Sequence, residues 1–227
     1  MPASAEEAWA PGPLRPQLAS AAVHVWRADL TAVAEELGGL LSREERARAA
    51  RLVNEQGGEL WRRSRGLLRA LLGRYLERDP SSLRFALGEH GKPALVCDGD
   101  DRLLFNMSHS GSIALYAFSA AGEIGVDVEV AHRTIDEVAV AHRTLGRPTA
   151  ERLEGLDPDT RRQEFLHAWA RHEATLKCLG VGIGGTRADV VVPELWVADL
   201  ELDDLDAAAA VAAERQARVL SCWQWRS

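Results

Sequence analysis

Residues 103–130 read LLFNMSHSGSIALYAFSAAGEIGVDVEV. Apolar, β-branched and aromatic residues gather at 103–106, 113–119 and 124–130, with glycine and serine between them. The pattern predicts three consecutive strands and a β-rich middle to the chain. The last of them, Gly125-Val126-Asp127-Val128-Glu129, sets both carboxylates on one face and both valines on the other, because side chains alternate along a strand. Two acids facing the same way repel unless a cation lies between them. A hard divalent cation such as Mg2+, which prefers oxygen ligands, meets that need; a solvent-facing strand with two exposed acids is the plainer alternative.

Upstream, Val23-His24-Val25-Trp26 alternates as a first strand. Ser42 stands before Arg43-Glu44-Glu45, so Ser42 and Glu45 predict a capping box that opens a helix through about Val53, closed by Asn54 and Gly57-Gly58. A second helix runs from Glu59 to about Arg78, with Leu68, Leu71, Leu72, Tyr75 and Leu76 on one face and Arg62, Arg65 and Arg69 in an adjoining stripe. Asp79-Pro80 ends it. Leu83 to Leu87 reads as a strand, and Gly88 to Pro93 as a turn-rich loop.

Downstream, helical composition returns from about Ile135, is firmest from Arg161 to Leu179 and stops at Gly180. Residues 189–202 and 217–225 alternate as strands, and the alanine-rich stretch between them reads as a helix. This mixed order, with no regular βαβ repeat, predicts an α+β fold. Ala131-His132-Arg133-Thr134-Ile135 recurs ten residues later as Ala141-His142-Arg143-Thr144-Leu145, a spacing that puts the copies on different helix faces, so it is read as a local duplication.

With 227 residues and 46% hydrophobic content the chain can bury one large core or two small lobes. The first thirteen residues are acidic and proline-rich, and no signal peptide or membrane span is readable. Cys97, Cys178 and Cys222 are odd in number and too far apart for a CxxC metal knuckle, which fits a reducing cytoplasm. The net charge of -7 argues against wholesale nucleic-acid binding. The charge is uneven, however: residues 43–78 hold ten arginines against five acids, and residues 194–206 hold six acids and no base. The basic stretch is either an anion-receiving surface or a solvated helix face. Only Lys92 and Lys177 are lysines among 27 cationic residues, and a compact ammonium suits phosphate as a point charge.

In the helix near 161–179, Phe165, Trp169, His172 and Leu176 form an apolar stripe, with Glu173 and Lys177 at i, i+4 on its flank. The pair reads either as a surface ion pair or as a metal ligand beside a phosphate ligand. Phe105-Asn106-Met107-Ser108-His109-Ser110-Gly111 leaves an apolar strand through a polar, glycine-ended turn that suits a phosphate cradle. A hydrolase reading of Ser108-His109 is disfavoured, because adjacent strand side chains point apart and no GxSxG elbow is present.

Gly91-Lys92-Pro93, FNMSHSG at 105–111, GVDVE at 125–129 and WARHEATLK at 169–177 follow one another in an order and spacing that resembles 4'-phosphopantetheinyl transferases of the long, surfactin-synthetase-activating kind. The likeness runs from about Val23 to Val197 and includes VHVWRADL at 23–30 and SRGLLRALLGRYL at 64–76. The resemblance implies a pseudo-twofold molecule of two α+β lobes, residues 1–119 and 120–227, with coenzyme A in the cleft between them. It implies Asp127, Glu129 and Glu173 as Mg2+ ligands, and Lys177 as a contact of the pyrophosphate. Glu173 and Lys177 are then the catalytic pair, and Lys92, Ser108, His109 and Arg48 hold the adenosine-phosphate end. The implied reaction is attack by a carrier-protein serine on the β-phosphorus, releasing 3',5'-adenosine bisphosphate. A monomer is expected, since both lobes lie in one chain, with acyl- or peptidyl-carrier domains of polyketide, nonribosomal peptide or fatty-acid synthesis as partners.

Three positions depart from the family's pattern. His172 stands where a lysine usually precedes the glutamate, and its place on the apolar stripe favours a packed histidine. Thr149 stands where a glutamate is usual, which leaves Glu151, Glu173 or metal-bound water as the proton acceptor. Leu60 stands where an arginine contacts coenzyme A, with Arg62 or Arg63 as substitutes. Two other readings keep part of this pattern: a coenzyme A-binding module without catalysis, and a different Mg2+-dependent nucleotide hydrolase.

Overall fold

A computed structural model describes residues 9–52, 54–88, 90–96, 103–131, 135–181, 194–202 and 206–226. The expectations that fall on Val53, Cys97, residues 132–134, residues 189–193 and the first eight residues lie outside the described residues.

The segment 103–130 forms three strands, here β5 (Leu104–Ser110), β6 (Ile113–Ser119) and β7 (Ile124–Val130), of which β5 and β6 pair antiparallel. Before them come β1 (Ala10–Pro11), β2 (Ala22–Asp29) and a small hairpin of β3 (Phe85–Leu87) and β4 (Pro93–Leu95); after them come β8 (Trp196–Leu200), β9 (Ala207–Ala213) and β10 (Val219–Gln224). The helices are α1 (Arg43–Ala49), α2 (Glu55–Leu76), α3 (Glu137–Thr144), α4 (Arg147–Glu154) and α5 (Pro158–Leu179).

Local chemistry sets the helix ends. Ser42 and Glu45 form the expected reciprocal capping box on α1. Asn54 does not close that helix but opens the next one: its side chain accepts the Gln56 and Gly57 amides, so α2 starts four residues earlier than periodicity predicts. Asp157 caps α5 through the Thr160 amide, Pro158 fits its first turn, and Gly180 ends it with φ 69°.

The strands divide into a five-stranded sheet, β1-β10-β2-β6-β5, and a three-stranded sheet, β7-β9-β8, besides the hairpin. The same unit recurs. A strand (β2 or β7), a path ending in a 22-residue helix (α2 or α5), and two more strands give the antiparallel orders β2-β6-β5 and β7-β9-β8, with the last-made strand in the middle. The α+β reading therefore holds. β10 then returns to the first sheet and lies parallel to β2.

The two sheets share a core. Val23, Val25, Leu115 and Ala117 meet Ile124, Val126, Val128, Ala209 and Val211. The outer face of the first sheet, with Trp26, Tyr116 and Phe118, packs on Leu67, Leu68, Leu71 and Leu72 of α2. Each of these leucines is fully buried and stabilises the fold by roughly 1.5–3 kcal/mol. The outer face of the second sheet, Ala208, Ala210 and Ala212, packs on Ala170, Ala174 and Cys178 of α5.

The alanine stretch 207–213 is thus a strand, where composition predicts a helix. Both faces of β9 are buried, one against α5 and one against the first sheet, so tertiary packing overrides alanine's helical preference.

Candidate functional site

The residue type at 125 explains how close the site's two elements come. A Cβ on Gly125 would stand 2.0 Å from the Ala174 carbonyl oxygen and 2.4 Å from the Cys178 nitrogen, so only glycine lets β7 lie against α5. Asp127 and Glu129 follow on that same face of β7, while Val126 and Val128 enter the shared core. From α5, Glu173 and Lys177 reach the same place.

Neither Glu173 nor Asp127 is at the surface: they are 4% and 2% exposed. Lys177 does not pair with Glu173 on the helix flank but turns inward, its ammonium 2.5 Å from Asp127 Oδ1 and 2.8 Å from Ser108 Oγ. The Ser108 hydroxyl in turn donates to Asp127 Oδ1 at 2.8 Å. Two oxygens are left buried without a hydrogen-bond partner, Asp127 Oδ2 and Glu173 Oε1.

The acids feel one another. Burial, and then the Asp127 charge, push Glu129 above the ordinary carboxylate range, against the opposing pull of Lys177, Ser110 and Trp169. Burial and Asp127 raise Glu173 likewise, with Glu129 adding to the effect and Lys177 opposing it. Among the described residues, no three or more His, Cys, Asp or Glu side chains are gathered closely enough to hold a metal ion as they stand. The cation now in this acidic cluster is Lys177.

The cluster opens on two sides. A cleft of about 230 Å³ is lined by Lys92, Pro93, Met107, Glu173, Lys177 and Gly180. Beyond Glu129, an apolar groove of about 360 Å³ runs between Ile135, Val140, Phe165, Leu166 and Trp169.

The other expected residues have these places. Lys92 follows Gly91, whose φ of 82° makes the tight turn of the β3–β4 hairpin. Its ammonium reaches the Glu123 carboxylate at 2.6 Å and the Ile124 carbonyl at 3.0 Å. His109 lies on the opposite face of β5 from Ser108, and burial and Lys177 lower its pKa. Arg48 is exposed on α1 and lies over the Trp61 ring, and it does not line the cleft. Leu60 packs against the α2 core. Arg62 is paired with Glu59, Arg63 with Glu59 and Glu35, and Arg65 and Arg69 share Glu45, so most of the basic stripe serves the fold. Glu151 is paired with Arg147 on α4. His172 is half-buried, its pKa lowered by burial, with its Nε2 unpartnered and its ring 6.2 Å from Trp169.

Sequence reasoning placed Asn106 and Ser110 in a turn suited to phosphate, whereas both lie on strand β5 and bond β7. Asn106 Oδ1 accepts the Val126 amide at 3.0 Å, and Ser110 Oγ accepts the Val130 amide at 3.1 Å. Their signal was the polar alternation Asn106, Ser108, Ser110 in an otherwise apolar strand.

A family model described as the 4'-phosphopantetheinyl transferase superfamily matches residues 123–223, from just before β7 into β10. The chain is 35% identical over 185 residues to the 4'-phosphopantetheinyl transferase HetI of Nostoc sp., covering 78% of this chain and 77% of that protein. It is 28% identical over 149 residues to the 4'-phosphopantetheinyl transferase Sfp of Bacillus subtilis, covering 66% of this chain and 64% of that one. It is 33% identical over 129 residues to the 4'-phosphopantetheinyl transferase AcpT of Escherichia coli K12, covering 56% and 64%.

Proposed function

The chain belongs to the 4'-phosphopantetheinyl transferase superfamily, and from that premise we propose that it moves the 4'-phosphopantetheine arm of coenzyme A onto a serine of an acyl- or peptidyl-carrier protein, with Mg2+ held by Asp127, Glu129 and Glu173. The observation that carries this reading is the pair of buried, unpartnered oxygens, Asp127 Oδ2 and Glu173 Oε1, in a carboxylate-rich cluster whose cation among the described residues is Lys177. Such a donor set suits a hard cation with oxygen ligands.

When bound, Mg2+ supplies positive charge to the pyrophosphate. The chain's own residues do the rest. Lys177 stands at the rim of the 230 Å³ cleft and can exchange Asp127 for a phosphate oxygen, so that its charge meets the bridge that breaks. The carrier serine attacks the β-phosphorus, the bond to the adenosine-side phosphate breaks, and 3',5'-adenosine bisphosphate leaves. Glu173, buried beside Lys177 and lining the same cleft, is the acceptor we favour for the serine proton. Two openings on one acidic cluster suit two substrates that must meet there. Lys92, Ser108, His109 and Arg48 are the proposed contacts of the adenosine-phosphate end, which requires Lys92 and Ser108 to release present partners. We further propose a division into lobes 1–119 and 120–227, action as a monomer, and a cytoplasmic setting. No described helix is long and apolar enough to cross a membrane.

Incubating the protein with Mg2+, coenzyme A and a panel of apo carrier proteins tests the reading. A mass gain of one phosphopantetheine arm, abolished by Asp127→Ala, is expected. Coenzyme A binding in calorimetry without any mass gain sinks the transferase reading in favour of a binding module, and phosphate release without a carrier points to a hydrolase.

A further inference from the structure

β5 and β7 are edge strands of different sheets, each with one side committed to β6 or β9. A strand edge presents backbone N–H groups that must find partners when buried. Here the partners are side chains. Asn106, Ser108 and Ser110 fall at alternate positions and face β7. Asn106 Oδ1 takes the Val126 amide at 3.0 Å and Ser110 Oγ takes the Val130 amide at 3.1 Å, four residues apart on both strands. Between these rungs Ser108 donates to Asp127 at 2.8 Å.

The hydrogen count closes. Each hydroxyl has one proton to give and lone pairs to receive with. Ser110 receives the Val130 amide and gives its proton to Glu129 Oε2 at 3.4 Å. Ser108 receives the Lys177 ammonium and gives its proton to Asp127. Asn106 and Ser108 are 6% and 8% exposed, so water does not compete at these rungs.

We propose that Asn106, Ser108 and Ser110 form a side-chain ladder that locks β7 in register beside β5, and that Asn106 and Ser110 are thereby positioning residues for the Asp127 and Glu129 carboxylates. The positioning half rests on the transferase reading, in which those carboxylates hold a divalent cation. The ladder half does not.

The test uses the full chain, Mn2+ as probe without coenzyme A, and amide hydrogen exchange. In Ser110→Ala the Val130 amide exchanges about tenfold faster and the Mn2+ dissociation constant rises roughly three- to tenfold, the loss of one partly buried hydrogen bond. Ser110→Thr keeps both values within about twofold of the parent, since its hydroxyl can make the same bonds. Asn106→Asp, which retains the acceptor oxygen, preserves slow exchange at Val126. Unchanged Val130 exchange in Ser110→Ala overturns the ladder. Faster exchange with unchanged Mn2+ affinity overturns the positioning role alone. A parent protein that binds no Mn2+ removes the cation reading and the positioning role with it, while the exchange data still decide the ladder.

Discussion

Lys177 sits where the proposed cation would bring its charge, and its removal separates the two roles of that place. Lys177→Met leaves Asp127 buried without a cation, which costs about 3 kcal/mol of stability in chelator, the scale of breaking a buried pair. Thermal unfolding with and without Mg2+ checks this: the variant should gain more from Mg2+ than the parent does, and an equal gain contradicts the cation reading. The spacing of Glu173 and Lys177 in the sequence made a helix-flank pair the simple expectation. What spacing along one helix does not carry is the acid arriving from another strand, and Asp127 outcompetes the neighbour on the helix. His24 gives a pH prediction away from the site. The Trp26 indole donates to the Tyr75 hydroxyl, which hydrogen-bonds His24 Nδ1, and burial pushes the imidazole from 6.5 down to about 4. The folded state therefore binds fewer protons than the unfolded state between those values. His24's contribution is complete above pH 6.5 and is lost as pH falls toward about 4, by about 3 kcal/mol at roughly 1.4 kcal/mol per pH unit. Urea denaturation across that window should show a shallower slope in His24→Gln.

At the scale of elements, small residues set the distance between β7, β9 and α5. Gly125→Ala forces a methyl against backbone atoms of α5 that have nowhere to go, so the loss should reach at least about 3 kcal/mol in urea denaturation. Gly155→Ala is the control: its Cβ meets nothing closer than 3.8 Å, and a change beyond about 0.5 kcal/mol there undermines the steric argument. The capping box at Ser42, the stop at Gly180 and the strands at 113–119 and 124–130 were legible because each is specified by residues next to one another. β9 was not, because an alanine run has no period. Its identity follows from what covers its two faces, and those partners lie in α5 and in the first sheet. The same holds for α5: the visible stripe of Phe165 and Trp169 packs on α3 and α4, whereas the face against the sheet is Ala170, Ala174 and Cys178. Hydrophobic size drew attention to the wrong side, and close approach needed the small one. Of the candidate site, the acids and Lys177 were readable from motif order, and the side-chain ladder from β5 was not, since its amide partners carry no mark in the sequence.

The whole molecule repeats one unit twice yet buries the inner faces of both sheets in one core, so neither unit is closed without the other. Chemical unfolding should be a single transition, with tryptophan fluorescence and helical circular dichroism coinciding. Separate transitions contradict the shared core. β10 tightens the coupling, because it lies between β1 and β2 in the first sheet, and Trp223 packs edge-on against His24 and Trp26. Truncation after Arg215 strips β2 of that neighbour and should abolish cooperative unfolding altogether. A truncated chain that still melts cooperatively contradicts this. The position of β10 also bears on how the chain is made. Val23 pairs with Leu220, so the first sheet stays open on the ribosome until almost two hundred further residues have been translated. Through that interval the nascent chain carries the apolar face of Val23 and Val25 and the bare edge of β2, the surface that holdase chaperones bind. A unit written first is completed last, and a chain released early is marked by its own unfinished sheet.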